Sequence, residues 1–553
     1  MKKKLIAALL IGTMSAGLLS GCGSSNGTSK ENSDSTSASS SSTEETGSAS
    51  SALESAEPAE TVSLPLTDEK VTLTMYMPMD STFGVYSKDY NDSEFFKELE
   101  KRTNVHIDFV TPAEGEETNS FNLMFTSGEL PDIITMANGY TNGGLTGGIE
   151  DGYYLDLTDL IPEYMPNYNA VRTSSERLIK DTTMDDGRLG GVYEIRVGTE
   201  EPWMGYQVNQ NWLDELGLDT PVTYDDWEEM LTAFKEKKGA YAPLALTSYG
   251  YDCFDILSAG FGAAHTFLNM DGTVVYSPIT DNWKEYLTLM NDWYSKGLID
   301  PDFMTRGLFC SDTELITSEQ TGCWVSMVKL ASAYDAANSN INTVAIPNPV
   351  KADGDTTHIR VPDSIATSNM IAISADCENT ELALKWLDYL YTEEGSMLAS
   401  YGVEGESYTK DENGTVAFTD LINANPDGYD QNTSMLIYAL VPSKLTSYYH
   451  FDREYLNMRD KDIESYDIWG QDWEKDDWVM PGFVTLTPDE TSEYSVIYND
   501  VSSYMNECTL KFITGVMDVN GADWDTYVDT IKGMGIDTCV QIQQAALDRY
   551  NER

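Results

Sequence analysis

Positive charge is scarce in this chain: 34 Lys and Arg face 91 Asp and Glu, for a formal net charge of -57. A surface this negative repels nucleic-acid backbones and anionic lipid headgroups, which argues against either as a partner. Acidity of this kind mainly keeps an exported protein soluble, and it favours a neutral or cationic ligand over a uronate or phosphate. Histidine is rarer still. His106, His265, His358 and His450 stand far apart, so a zinc or triad enzyme has little material to work with. Beyond Cys22, the cysteines Cys253, Cys310, Cys323, Cys377, Cys508 and Cys539 are scattered, with no CxxC and no His at ligand spacing. No metal and no cofactor are expected. A large core does not need disulfides, so these six are expected as buried free thiols. Long apolar runs are missing too. The nearest candidate, Leu5 to Leu19, is broken by Gly12, Ser15 and Gly17 and is too short to span a bilayer.

That stretch follows Lys2, Lys3 and Lys4 and reads as a secretion signal. It ends in Leu19-Ser20-Gly21-Cys22, which resembles a bacterial lipobox. Small residues before the cysteine let a peptidase close on the chain, and the Cys22 thiol would take a diacylglycerol. The alternative is an ordinary signal with an incidental cysteine. Residues 1–22 are thus expected as a lipoprotein signal peptide. Residues 23–65 follow as a disordered Ser-rich tether, because no aromatic occurs in 23–63 and such a segment cannot bury enough surface to offset its ordering entropy. Its length suits a protein that stands off from the outer face of the cytoplasmic membrane through a cell wall, which points to a Gram-positive owner.

About 490 residues remain, more than one hydrophobic core holds, so two lobes are expected. Val71 to Met77 alternates like a strand and stops at Pro78. Phe95, Phe96, Leu99 and Thr103 then recur at helical spacing, and Val105 to Val110 reads as a second strand. Phe121 to Phe125 begins a helix, and Pro131 to Met136 is a third strand. This alternation predicts βαβ units and a parallel sheet. It returns at Pro243 to Leu246 and Gly322 to Val325, so the second lobe should be built alike. Thr223 and Asp226 have capping-box spacing before Trp227 to Lys237. Trp524 to Tyr550 reads as two amphipathic helices broken at Gly533-Met534-Gly535.

Several stretches resemble the extracellular solute-binding proteins of sugar ABC transporters. They are Leu130-Pro131-Asp132-Ile133; Gly191-Val192-Tyr193 with Val208-Asn209, Trp212-Leu213 and Leu216-Gly217-Leu218; and Trp293 to Phe303. Ala383 to Tyr391, with Glu394-Gly395 and Tyr401 to Gly405, resembles the family's later crossing region. The tail, Lys511 to Gly515 with Leu547-Asp548-Arg549-Tyr550, is similar to the LipO branch of these lipoproteins. The resemblance implies an α/β, two-lobed periplasmic-binding-protein-like fold, type II-like, with crossing strands and a ligand cleft between the lobes. The expected first lobe takes residues 66–195 plus about 370–395, and the second 196–369 plus about 396–553. The resemblance further implies a monomer that captures an oligosaccharide and passes it to ABC permease subunits, touching the membrane only through its lipid and binding no nucleic acid.

Ligands of open α/β sheets sit beyond the carboxyl ends of the strands. Sugars present apolar C–H faces to aromatic rings and hydroxyls to carboxylates and amides. These two rules nominate Phe83, Tyr140, Trp203, Tyr206 and Tyr249 as aromatic contacts, with Asp80 and Asn138 as polar ones. Packing is the competing role for each ring. Trp324 is expected in the core, while Trp469, Trp473 and Trp478 either roof the cleft or pin a long loop. Asn269 to Gly272 and Asp411 to Gly414 hint at calcium loops but lack the terminal glutamate, so hairpin turns are expected there. Two other functions stay open: a surface glycoside hydrolase using paired carboxylates, and a peptide-capturing or adhesive lipoprotein.

Overall fold

Alternating apolar side chains set Val71–Tyr76 and Val105–Val110 side by side as parallel strands, with Val71 opposite Val105 and Tyr76 opposite Val110. The computed structural model describes residues 62–553 apart from 114, 142, 198–201, 252–253, 308–310, 360–364, 441–443, 457 and 471–477. The signal, most of the tether, Cys22, Cys253, Cys310 and Trp473 therefore lie outside the described residues.

Those two strands are β1 and β2, and β3 (Ile133–Thr135) and β4 (Val192–Val197) follow. The chain then builds a second lobe from β5 (Met204–Asn209), β6 (Leu244–Ala245), the hairpin β7 (Phe267–Met270) and β8 (Thr273–Tyr276), β9 (Cys323–Met327) and β10 (Thr343–Ala345). It returns to the first lobe through β11 (Ala366–Ile373), the hairpin β12 (Tyr408–Lys410) and β13 (Val416–Phe418), and β14 (Tyr448–His450). The first sheet has the order β14-β4-β11-β3-β1-β2, and the second β10-β5-β9-β6. Helix Asp460–Trp469 packs back on β10, and helices Pro488–Ile513 and Ile536–Glu552 pack on the second lobe. The fold is two-lobed α/β, as the sequence implies.

The strand positions agree with the alternation to within a residue or two. The capping box is formed: the Thr223 hydroxyl accepts from the Asp226 N–H, and the Asp226 carboxylate accepts from the Thr223 N–H. The tail breaks at Gly535, whose φ of 100° lies where other residues are strained. Asn269 to Gly272 closes the β7–β8 hairpin, with Asp271-Gly272 as its turn, and Asp411 to Gly414 lies in the turn of the other hairpin. Cys323, Cys377, Cys508 and Cys539 are buried free thiols.

One boundary differs from the expectation. The return to the first lobe does not end near 395. It begins at β11 and continues to β14, which pairs with β4 in parallel, Tyr448 opposite Ile195. Helix Glu393–Tyr401 packs on β14, and helix Gln431–Tyr438 packs on Glu94–Thr103, so residues 396–450 belong to the first lobe. Ala383 to Tyr389 likewise lies in a first-lobe helix, Thr380–Tyr389, with Leu390 and Tyr391 in the turn after it, and not on a crossing. The reason is a pairing between strands some 250 positions apart, which leaves no local mark in the sequence.

Candidate functional site in the interlobe cleft

Strand direction locates the cleft. In the first sheet β1, β2, β3, β4 and β14 all point one way, with β11 running against them. Their carboxyl ends therefore share one edge. The chain leaves that edge from β4 to β5, returns to it from β10 to β11, and leaves again after β14. In the second sheet β5 runs against β9 and β10, and β6 runs with β9. β5 therefore enters at the edge where β6, β9 and β10 end. The carboxyl ends of both sheets meet at the crossing segments, the position where open α/β sheets take ligands.

On the first-lobe side, Asp80 Oδ1 accepts from the N–H groups of Thr82 and Phe83, both at 2.9 Å, and so holds the turn that leads into the short helix Phe83–Tyr86. Phe83 itself is fully buried, stacked on Tyr90 at 4.8 Å, so it offers no ring face to a ligand in this conformation. Asn138 is exposed, and its Oδ1 accepts from the Leu145 N–H at 3.2 Å. Gly144, at φ 61°, permits this approach, since a Cβ there would stand 2.2 Å from that oxygen. Tyr140 is half-buried, stacked on Phe121 at 4.3 Å, and burial pushes its hydroxyl well above the usual tyrosine value.

On the second-lobe side, Trp203 is half-buried and meets Phe254 edge to face at 5.2 Å. Its carbonyl accepts from the Val328 N–H at 3.1 Å, which ties the crossing to the end of β9. Tyr206, also expected at the ligand, is fully buried and lies edge-on to Trp227 at 5.1 Å. Both faces of β5 are covered, so its period-two alternation carries no solvent side. Tyr249 follows β6 at 37% exposure and stacks on Tyr251 at 5.8 Å. Asp80, Asn138 and Tyr140 thus follow the ends of β1 and β3, Trp203 precedes β5 and Tyr249 follows β6, each with an exposed or half-buried side chain, whereas the rings of Phe83 and Tyr206 are fully buried.

Trp324 is fully buried, and its indole N–H donates to Gln207 Oε1 at 3.0 Å. Trp469 covers Gly205 and donates to the Tyr206 carbonyl at 3.2 Å, while Trp478 stacks on His358 at 4.1 Å. Both indoles pin chain segments: Trp469 holds its helix on β5, and Trp478 holds the segment between β10 and β11.

The crossing segments carry charge that the sequence reading missed. Glu454, just after β14, pairs with Lys329 of the second lobe and with Arg453, and it accepts from the Tyr449 hydroxyl at 2.7 Å. Burial by itself would raise the Glu454 carboxyl, but Lys329 and Arg453 outweigh it and hold the group well below the usual carboxylate range. Arg196 lies 3.9 Å from Glu194 and 5.4 Å from the centre of the Phe451 ring. Glu194–Arg196 and Arg453–Glu454 are neighbours in sequence, but the contacts that join them to other segments, Lys329 with Glu454 and Arg196 with Phe451, are long-range and leave no local motif.

The sequence matches the family model for bacterial extracellular solute-binding proteins over residues 87–397, more than half the chain. It is 27% identical over 368 residues to the fructooligosaccharide ABC transporter substrate-binding protein FusA of Streptococcus pneumoniae, covering 63% of this chain and 66% of that one. It is 26% identical over 332 residues to the polygalacturonan/rhamnogalacturonan-binding protein YtcQ of Bacillus subtilis, covering 58% and 64%. The chain thus spans just under two thirds of these relatives' own length. Among solved structures, an extracellular solute-binding protein from Bifidobacterium longum subsp. infantis superimposes with a TM-score of 0.70 at 19% identity, over 88% of this chain and 99% of that one. FusA in complex with kestose gives 0.65 at 22% identity, over 87% and 99%. At such identities these structures establish the fold.

Proposed function

The chain belongs to the bacterial extracellular solute-binding proteins, and from that premise we propose that it captures an uncharged oligosaccharide between its lobes and delivers it to ABC permease subunits. The observation that carries this reading is the meeting of both sheets' carboxyl ends at the crossings; Tyr140 after β3, Trp203 before β5 and Tyr249 after β6 are the rings proposed to meet the sugar. Relatives whose names specify fructooligosaccharide, melibiose, raffinose and stachyose support a sugar as the ligand. Charge supports an uncharged one. Among the described residues, the crossing cations Arg196, Lys329 and Arg453 each lie beside a carboxylate, and the chain as a whole is strongly acidic. The protein works as a monomer without turnover, and its Cys22 lipid holds it at the outer face of a Gram-positive cytoplasmic membrane.

Calorimetric titration with kestose, stachyose and trigalacturonate tests the reading, with chromatography of the recovered sugar. Saturable binding of a neutral sugar that returns unchanged is the expected result. Cleaved sugar would move the protein to the hydrolases, and binding of trigalacturonate alone would overturn the uncharged ligand.

A further inference from the structure

Beyond β6 the second lobe carries a stack of three rings whose lower end is fixed by a carboxylate. Tyr249 and Tyr251 lie 5.8 Å apart at 18° to each other, and Tyr251 and His265 lie 4.6 Å apart at 15°. Asp255 holds the imidazole by its edge: its Oδ2 is 2.7 Å from His265 Nδ1, and its Oδ1 accepts from the His265 backbone N–H at 2.9 Å. Asp255 is 5% exposed and sits at φ 58°, a strained backbone setting that Asp and Asn tolerate better than most residues. The middle ring is fixed separately. The Tyr251 hydroxyl donates to Asn506 Oδ1 at 2.6 Å on helix Pro488–Ile513, and the Tyr251 carbonyl accepts from Thr247. Tyr251 and His265 are therefore each held in place, and Tyr249 is the more exposed end of the column.

We propose that Asp255 and His265 are positioning residues which, through Tyr251, hold Tyr249 as a flat platform for one uncharged sugar ring. This rests on the function proposed above and names the part of the second lobe that carries its aromatic contact. A solitary exposed tyrosine must surrender rotamer freedom when it binds, whereas a ring already aligned by a stack has little left to lose. A sugar's apolar C–H face would stack on Tyr249, and the column beneath would keep that ring at a fixed tilt.

A double-mutant cycle on the full chain, titrated with kestose and stachyose, tests the inference. Tyr249→Ala should weaken affinity about tenfold, and Tyr249→Phe should keep it. His265→Ala should weaken affinity about fivefold in the wild-type background and cause no further loss on top of Tyr249→Ala. If His265→Ala does not fold, His265→Asn takes its place in the cycle, retaining a polar partner for Asp255 while removing the ring. Unchanged affinity in Tyr249→Ala overturns the platform while leaving the proposed function standing. A His265 loss that persists in full without Tyr249 overturns the positioning role, since a purely structural effect would be additive. Failure of the wild-type protein to bind either sugar removes the proposed function and the platform with it.

Discussion

Arg553 and Asp185 join the two lobes: the guanidinium donates to Asp185 Oδ1 from Nη2 at 2.6 Å and from Nε at 2.9 Å. Arg549 donates to the other oxygen at 3.1 Å, and the Tyr550 hydroxyl donates to Asp181 at 2.6 Å. One first-lobe carboxylate thus receives two guanidinium groups from the end of a second-lobe helix. Asp185→Ala should lower stability by about 2 kcal/mol, the scale of hydrogen bonds to charged groups left unmade. Urea unfolding checks this, and an unchanged midpoint would show that Arg549 and Arg553 find equivalent partners elsewhere.

Gly205 lies beneath Trp469 so closely that a Cβ there would stand 2.3 Å from the indole. Gly205→Ala should push the ring off β5, break its bond to the Tyr206 carbonyl and cost about 1–3 kcal/mol, typical of overpacking. A chemical denaturation curve matching wild type would mean that the indole moves aside freely.

His450 ends β14, with its backbone N–H on Ser400 Oγ at 2.9 Å and its Nε2 3.3 Å from Ser396 Oγ. Burial holds its imidazole below the usual histidine value, and nearby Asp452 only partly opposes this. The unfolded chain then binds the proton more readily than the folded one. The stability contributed by the neutral ring is fully present above the unfolded value of about 6.5, and it is lost as pH falls through that value and the lower folded one. Thermal melts of wild type and His450→Gln between pH 8 and pH 5 should converge as the pH drops. A constant gap between them would contradict the titration.

Trp203 meets Phe254 edge-on and leaves part of its ring uncovered beside the crossing. As a sugar contact, its truncation in Trp203→Ala should weaken affinity five- to thirtyfold, about 1–2 kcal/mol. Calorimetry beside a melting curve separates contact from packing. A large loss of melting temperature with intact affinity would assign the indole to packing alone.

Cys22→Ala should release the protein from membranes, because the single thiol would carry both acyl chains. Membrane fractionation after a high-salt wash reads this out, and a variant that still sediments with membranes would exclude the lipid as the anchor.

Where neighbours in sequence are also neighbours in space, the sequence by itself determined the outcome. The Thr223–Asp226 capping box, the break at Gly535, the two hairpin turns and the alternating strands β1 and β2 each depend on a few adjacent residues. Local backbone preference and side-chain period suffice to specify them. The return of residues 396–450 to the first lobe, the burial of Phe83 and Tyr206, and the meeting of Lys329 with Glu454 were decided only in the tertiary structure. So was the column from Asp255 to Tyr249: its residues are near one another in sequence, but Asn506 of a distant helix fixes the middle ring. An aromatic after a strand looks the same in sequence whether it faces a cleft or a second layer. Long-range packing supplies or withholds the covering layer, and that packing set Tyr249 at the surface and Phe83 in the core.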